Sequence, residues 1–311
     1  MKVLITGVDG FIAANLAKLM IERGHEVTGM ALNRKGATSL DALNIKCRVE
    51  YGDVTDAAFV ERVINSTEAQ IVYHLAAVSI VRKAAANPAL CLRTNIVGTI
   101  NVLDACAKAG HVEACVVASS DKAYGDHDGH AYGETDELKP TGTYEVSKAC
   151  ADLITRTYPG GHCRMMVTRC GNVYGPGDLN WSRLVPNSIR NAINGMPPVI
   201  HADAWNYRRE WVYVRDACMA YEAIAEKGYG GEAYNIGSGV TTSAGDIATE
   251  IANSMGAPMP IIAGALMCRE IPEQALNCTK IAELGWKCAF SHEIGLQDTI
   301  KWYTAYLRWP R

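Results

Sequence analysis

The chain has no excess of positive charge: 30 Lys and Arg stand against 33 Asp and Glu in 311 residues, a formal net charge of -3. That excludes the electrostatic footprint of a nucleic-acid binder. No apolar run is long enough to span a bilayer. No Cys-x-x-Cys pair occurs among the 11 cysteines, and their number is odd. A disulfide framework and a metal site are therefore not expected; Cys115, Cys170 and Cys218 lie in apolar runs and read as buried free thiols. No internal repeat and no low-complexity linker is visible. A strand beginning at Lys2 leaves no room for a leader, so a cytoplasmic protein is expected. What the chain does have is apolar material, 49% of its residues. That is enough for a sizeable core in one large domain or two coupled ones.

The N-terminal stretch MKVLITGVDGFIAANLAKLMIERGH organises the rest. Val3 to Thr6 read as a short buried strand. Gly7 and Gly10 follow, then Phe11, Ile12, Leu16, Leu19 and Met20 recur at helical spacing. Gly7 permits a tight strand-to-helix turn, and Gly10 lets the backbone approach a pyrophosphate at the helix N-terminus. Ala13 stands where a third glycine often does and still allows close helix–strand packing. A strand, a glycine turn and a helix in this order predict a dinucleotide site.

Further strands are expected at HEVTGM, at CRVEYGDVTD ending in Asp53, at AQIVYHLAA and at EACVVASS. Helices fall between them. The alternation argues a parallel, doubly wound α/β sheet with ligands at the carboxyl ends of its strands. No acidic residue follows the second strand; Asn33, Arg34 and Lys35 stand there instead. Arg34 and Lys35 either meet a 2′-phosphate, favouring NADP, or are solvated loop charges. Asp53 either accepts from an adenine amino group or caps the next helix. Small Ala76 and Ala77 leave room for the cofactor. One long helix is expected from Pro88 to Gly110, carrying Asn95 in a structural or a cofactor-facing role.

Two further segments carry chemistry. SSDKAYG ends the fifth strand, and TYEVSK places Tyr144 and Lys148 one helical turn apart. An ammonium beside a phenol favours the phenolate and lowers the tyrosine from its ordinary value of about 10. Such a tyrosine takes a proton from a substrate hydroxyl while a nicotinamide takes the hydride. The late helices near 243–254 and 293–307 carry apolar stripes and read as packing faces. Trp205, Trp211 and Trp286 offer faces for a base, with core packing as the default reading.

Together TGVDGFI, GDVTD, HLAA, SSDKAYG and YEVSK resemble the extended short-chain dehydrogenase/reductases that act on nucleotide sugars. The resemblance continues through RCGNVYGPGDLNWSRLVP, RREWVYVRD, YNIGSG and REIPEQALNCTKIAELGW, so it covers nearly the whole chain. It implies an NAD(P)-binding Rossmann domain over 1–174, with a returning segment near 211–240. It implies a smaller substrate domain over 175–311. It further implies NAD or NADP retained through turnover, no metal, and a homodimer formed by a four-helix bundle. The implied cofactor contacts are Gly7, Asp9, Gly10, Phe11, Ile12, Asn33, Arg34, Asp53, Val54, Leu75, Ala76, Ala77 and Asn95, with Tyr144 and Lys148. The implied nucleotide-sugar contacts are Ser79, Ser120, Asn172, Arg183, Leu184, Val185, Arg209 and Arg269.

Within that family, Asp121 and Lys122 resemble the pair of the CDP-glucose 4,6-dehydratases. The resemblance implies a 4,6-dehydratase in which Asp121 is the general acid. Lys122 is either the C5 base, if its pKa is depressed, or an orienting group. The alternatives are a 4-epimerase using only Ser120, Tyr144 and Lys148, and a non-catalytic dinucleotide sensor.

Overall fold

The computed structural model describes residues 1–34, 36–126, 129–264 and 271–308. Strands β1 (Lys2–Thr6), β2 (Glu26–Ala31), β3 (Arg48–Tyr51), β4 (Ile71–His74), β5 (Ala114–Ala118) and β6 (Arg164–Cys170) alternate with helices. β7 (Asn172–Tyr174), β8 (Val199–Ile200) and β9 (Arg208–Tyr213) follow, and β10 (Ala233–Ile236) then returns to lie beside β6. The main sheet runs β10-β6-β5-β4-β1-β2-β3, and every pairing in it is parallel.

The apolar runs are near-continuous because both sheet faces are covered. The side-chain period of two sends Val3 and Ile5 into one core cluster and Leu4 into the other. The first cluster lies under the helices Phe11–Glu22 and Val214–Lys227, the second under Ala57–Thr67 and Gly98–Lys108. A second sheet is built on β9, which pairs with β7, β11 (Thr241–Ser243) and β12 (Glu273–Gln274).

Two sequence expectations need correction. The strand read as ending at Asp53 ends at Tyr51. Gly52 makes the last bond to Ala31, and the Asp53 carboxylate accepts from the Thr55 amide at 2.8 Å. The cap of the following helix is Asp56, whose side chain accepts from Phe59. The single helix expected from Pro88 is broken by a π-turn, Arg93–Val97, between Pro88–Leu92 and Gly98–Lys108. Asn95 lies in that turn with its side chain bound on two sides, to Val78 and to Ser147.

Candidate active site

The carboxyl ends of β1, β4, β5 and β6 open onto one cavity of about 540 Å³, closed on its far side by the N-terminus of the helix Leu184–Ile193. At its base is the glycine turn. Gly7 has φ +66°, and a Cβ there would stand 2.7 Å from the Ala76 backbone, so only glycine lets the two loops meet. The N-cap of the helix Phe11–Glu22 is Gly10, which has no side chain to cap the first amides. Those amides border the cavity through Phe11, Ile12 and Ala13. Uncapped amides at the positive end of a three-turn helix fit a pyrophosphate.

The chemistry-bearing side chains stand above this turn. Ser120 caps the short 3₁₀ turn Asp121–Tyr124, accepting from the Lys122 amide at 3.2 Å and donating to the Asp121 carboxylate at 3.0 Å. The turn is braced from below. Arg169 makes a fully buried two-pronged pair with Asp152 at 2.7 and 2.8 Å and donates to the Tyr124 hydroxyl at 2.9 Å. Tyr124 stacks on Tyr132 at 4.8 Å. At Gly125, φ is +74° and a Cβ would collide with the Lys139 carbonyl, so the turn has one exit path.

Asp121 is 3% exposed. Burial raises its carboxyl above the usual carboxylate range, against the opposing pull of the Lys122 and Arg209 charges and the Ser120 hydrogen bond. Burial therefore shifts it toward the protonated form relative to a solvated carboxyl. Tyr144 and Lys148 are on one face of the helix Thr143–Thr157 and both border the cavity. The expected lowering of Tyr144 by Lys148 is not found. Burial pushes the phenol up to about 12, and the groups that pull it down are the Ser120 hydroxyl and the Arg183 charge. Lys148 instead donates to the Ala118 carbonyl at 2.7 Å, and burial brings its ammonium down to about 8.

Of the residues expected at the site, Gly7, Asp9, Gly10, Phe11, Ile12, Leu75, Ala76, Ala77, Ser79, Ser120, Asp121, Lys122, Tyr144, Lys148, Asn172, Arg183, Leu184 and Val185 all border the cavity. Arg183 is held by the buried Asp178 at 3.0 Å and stands over the Phe11 ring, joining the two halves of the chain. Arg209 is 4% exposed and turns its guanidinium onto the carbonyls of Arg208, Ile271 and Pro272. Asn33, Arg34 and Asp53 are exposed, and Val54 is buried against Gly98. Lys35 and Arg269 lie outside the described residues. Arg82, Cys170, Asp178 and Tyr221, none of them expected at the site from sequence, also border the cavity. Arg82 follows the HLAA strand end and Cys170 ends β6, so the rule that ligands gather at strand ends was the available signal. Among the described residues no cluster of His, Cys, Asp and Glu could hold a metal ion, and no helix is long and apolar enough to cross a membrane.

The arrangement can move a proton at Tyr144, donate one at Asp121 and hold an anion at the helix amides. The chain is 33% identical to the low-salt glycan biosynthesis protein Agl12 of Haloferax volcanii, over 97% of this chain and 98% of that one. It is 28% identical to a dTDP-glucose 4,6-dehydratase of Streptomyces antibioticus, over 99% and 94%. Among solved structures it resembles UDP-glucose 4-epimerase of Thermotoga maritima with UDP-glucose, at TM-score 0.91 and 26% identity, covering 99% and 100%. It also resembles dTDP-glucose 4,6-dehydratase of Bacillus anthracis in complex with NAD, at TM-score 0.87 and 26% identity, covering 99% and 98%. The model of the NAD dependent epimerase/dehydratase family matches residues 3–237. With that match spanning most of its length, the chain belongs to the NAD dependent epimerase/dehydratase family.

Proposed function

We propose that the protein is a nucleotide-sugar 4,6-dehydratase, converting an NDP-hexose to an NDP-4-keto-6-deoxyhexose. The observation that carries this reading is Asp121. A buried carboxyl whose pKa is raised by burial, hydrogen-bonded to Ser120 in the same cavity as Tyr144, has no task in a simple 4-epimerase. A leaving hydroxyl needs such an acid.

NAD or NADP, held at the glycine turn, would accept two electrons from C4 and return them at C6. The chain's own residues supply the proton chemistry. Tyr144 in its phenolate form takes the C4 hydroxyl proton, with Ser120 aligning that hydroxyl; the Ser120 hydroxyl and the Arg183 charge favour that form against burial, which opposes it. The resulting ketone acidifies the C5 proton. Asp121 protonates the C6 hydroxyl as the C6–O bond breaks, and water leaves. Lys122 borders the same cavity, and in this reading it either serves as the C5 base, which needs its neutral amine, or orients Asp121. Asn172, Arg183, Leu184 and Val185 border the end of the cavity assigned to the nucleotide diphosphate, where a guanidinium suits phosphate.

The test is mass spectrometry of incubations with CDP-, dTDP-, UDP- and GDP-hexoses. A product lighter by one water supports dehydration and names the nucleotide. The likeness to UDP-glucose 4-epimerase favours a second reading, 4-epimerisation. An unchanged mass with an inverted C4 centre establishes that outcome. Dinucleotide released from the denatured protein distinguishes NAD from NADP.

We also propose a homodimer. Leu90, Val97 and Ile100 are exposed at helical spacing on the run 88–108, and Leu153 is 52% exposed on the neighbouring helix that carries Tyr144. A second copy covering both helices buries this apolar face. Leu153→Glu should convert a dimer to a monomer in sedimentation. A wild-type monomer removes the proposal.

A further inference from the structure

One buried titratable side chain has no part in the chemistry above. His74 ends β4, directly opposite Thr6 at the end of β1 in the parallel register. It is 3% exposed and does not border the cavity. Both ring nitrogens are engaged, Nδ1 with the Thr6 hydroxyl at 2.7 Å and Nε2 with the Thr99 hydroxyl at 3.1 Å.

The partners fix where the ring proton sits. The Thr99 hydroxyl donates its one proton to the Asn95 carbonyl at 2.6 Å, so its oxygen is free only to accept, and His74 Nε2 is the donor. The Thr6 oxygen accepts from the amides of Leu75 at 3.2 Å and Ala76 at 3.1 Å, and gives its own proton to Nδ1. Both ends require the same tautomer. Burial, with a smaller push from the Lys148 charge, brings the imidazole down to about 3, in keeping with a neutral ring.

The chain of bonds does not end at the π-turn. Asn95 Nδ2 donates to Ser147 Oγ at 2.8 Å, and Ser147 Oγ donates to the Tyr144 carbonyl at 2.7 Å. Asn95 also clamps Val78, accepting from its amide at 2.8 Å and donating to its carbonyl at 3.2 Å. Each link is buried or half-buried, so the links hold together.

We propose that His74, in its Nε2–H tautomer, is a positioning residue that ties the dinucleotide turn to the backbone of Tyr144 through Thr99, Asn95 and Ser147. The task is registration. The turn at Gly7 sets where a bound nicotinamide lies, and the Tyr144 backbone sets where the phenol lies. Hydride and proton must leave one carbon and its hydroxyl together, so the two parts need a common reference. A π-turn, rather than a regular helix, sets Asn95 at that junction.

Two measurements test this. The first is two-bond proton–nitrogen NMR on protein labelled with ¹⁵N-histidine, with and without NAD. The proposal requires the His74 proton on Nε2 in both states; a proton on Nδ1 overturns it. The second is a double-mutant cycle of Thr99→Val and Ser147→Ala, reading cofactor reduction on adding nucleotide sugar beside the Kd of both ligands. Thr99→Val should slow reduction about tenfold with both Kd values within about twofold of wild type, and the double variant should be no slower than the slower single. Additive losses, or a loss confined to Kd or to Tm, overturn the proposal. The cycle rests on the proposed hydride chemistry. The tautomer does not, and neither do the amide signals of Leu75, Val78 and Ser147, which should all move in Thr99→Val. If no nucleotide sugar reduces the cofactor, the proposed function fails while these NMR readouts still decide the relay.

Discussion

Asp121→Asn should abolish water loss while sparing reduction of the bound dinucleotide. The substitution keeps the shape and still accepts from Ser120, whose hydroxyl lies 3.0 Å from the Asp121 carboxylate. It removes the only proton the side chain can donate to a leaving hydroxyl. A positioned general acid contributes about 10²- to 10⁴-fold, so dehydration should fall by that factor. Oxidation at C4 depends on Tyr144 and should proceed. The variant would then accumulate reduced nicotinamide, visible in the near ultraviolet, with no product lighter by water. Tyr144→Phe should stop both signals. An Asp121→Asn enzyme that dehydrates at the wild-type rate removes the acid role. pH gives an independent reading. Burial raises the Asp121 pKa, so its acid form persists above the usual carboxylate range. Water loss should decline as pH rises through that raised value, whereas proton abstraction by Tyr144 should improve.

The fold class was legible because each half of a βα unit writes its own period. Val3, Leu4 and Ile5 are apolar without alternation, as a strand covered on both faces must be, and Phe11 to Met20 switch to helical spacing. The break at Asn95 was not legible. A π-turn leaves the apolar spacing of Val102 and Leu103 intact, and its cause is remote in sequence, in Val78 and Ser147. Asp53 misled for a related reason. Asp53 and Asp56 both precede the helix, and which one caps it depends on where β3 releases the chain. The cluster of Ser120, Asp121, Tyr144 and Lys148 was legible as residue types at strand and helix positions. Its electrostatics were not, because spacing says nothing of depth. Tyr144 and Lys148 do share a helix face, yet burial dominates the shift of each and Lys148 turns to the Ala118 carbonyl. Arg183, remote in sequence and held by Asp178, supplies the charge that favours the phenolate.

That burial has a measurable consequence for stability. Lys148→Met should eliminate turnover and raise the melting temperature of the cofactor-free protein at neutral pH. Burial brings the ammonium from 10.5 down to about 8, with Cys91 opposing weakly. The gap corresponds to about 3 kcal/mol set against the charged form in the folded state. Methionine removes that penalty at similar volume. It also takes a donor from the Ala118 carbonyl, which costs about 1 kcal/mol. The net gain of about 2 kcal/mol should appear as roughly 2–4 °C in a domain of this size. The sign with pH follows from the direction of the shift. Below about pH 8 both folded and unfolded chains hold the proton, and the wild-type fold carries the whole penalty. Between about 8 and 10.5 the unfolded chain alone holds it, so wild-type stability rises with pH through that window relative to the variant. Above it neither state is charged and the penalty is gone. The advantage of Lys148→Met should therefore shrink from pH 8 upward, nearly vanish by about pH 10, and reverse above about 10.5, where only the lost hydrogen bond remains. Calorimetry of both proteins at pH 7 and pH 10 decides the matter. A variant less stable than wild type at both values would mean that Lys148 holds the fold together, and that its burial is not a cost accepted for the site.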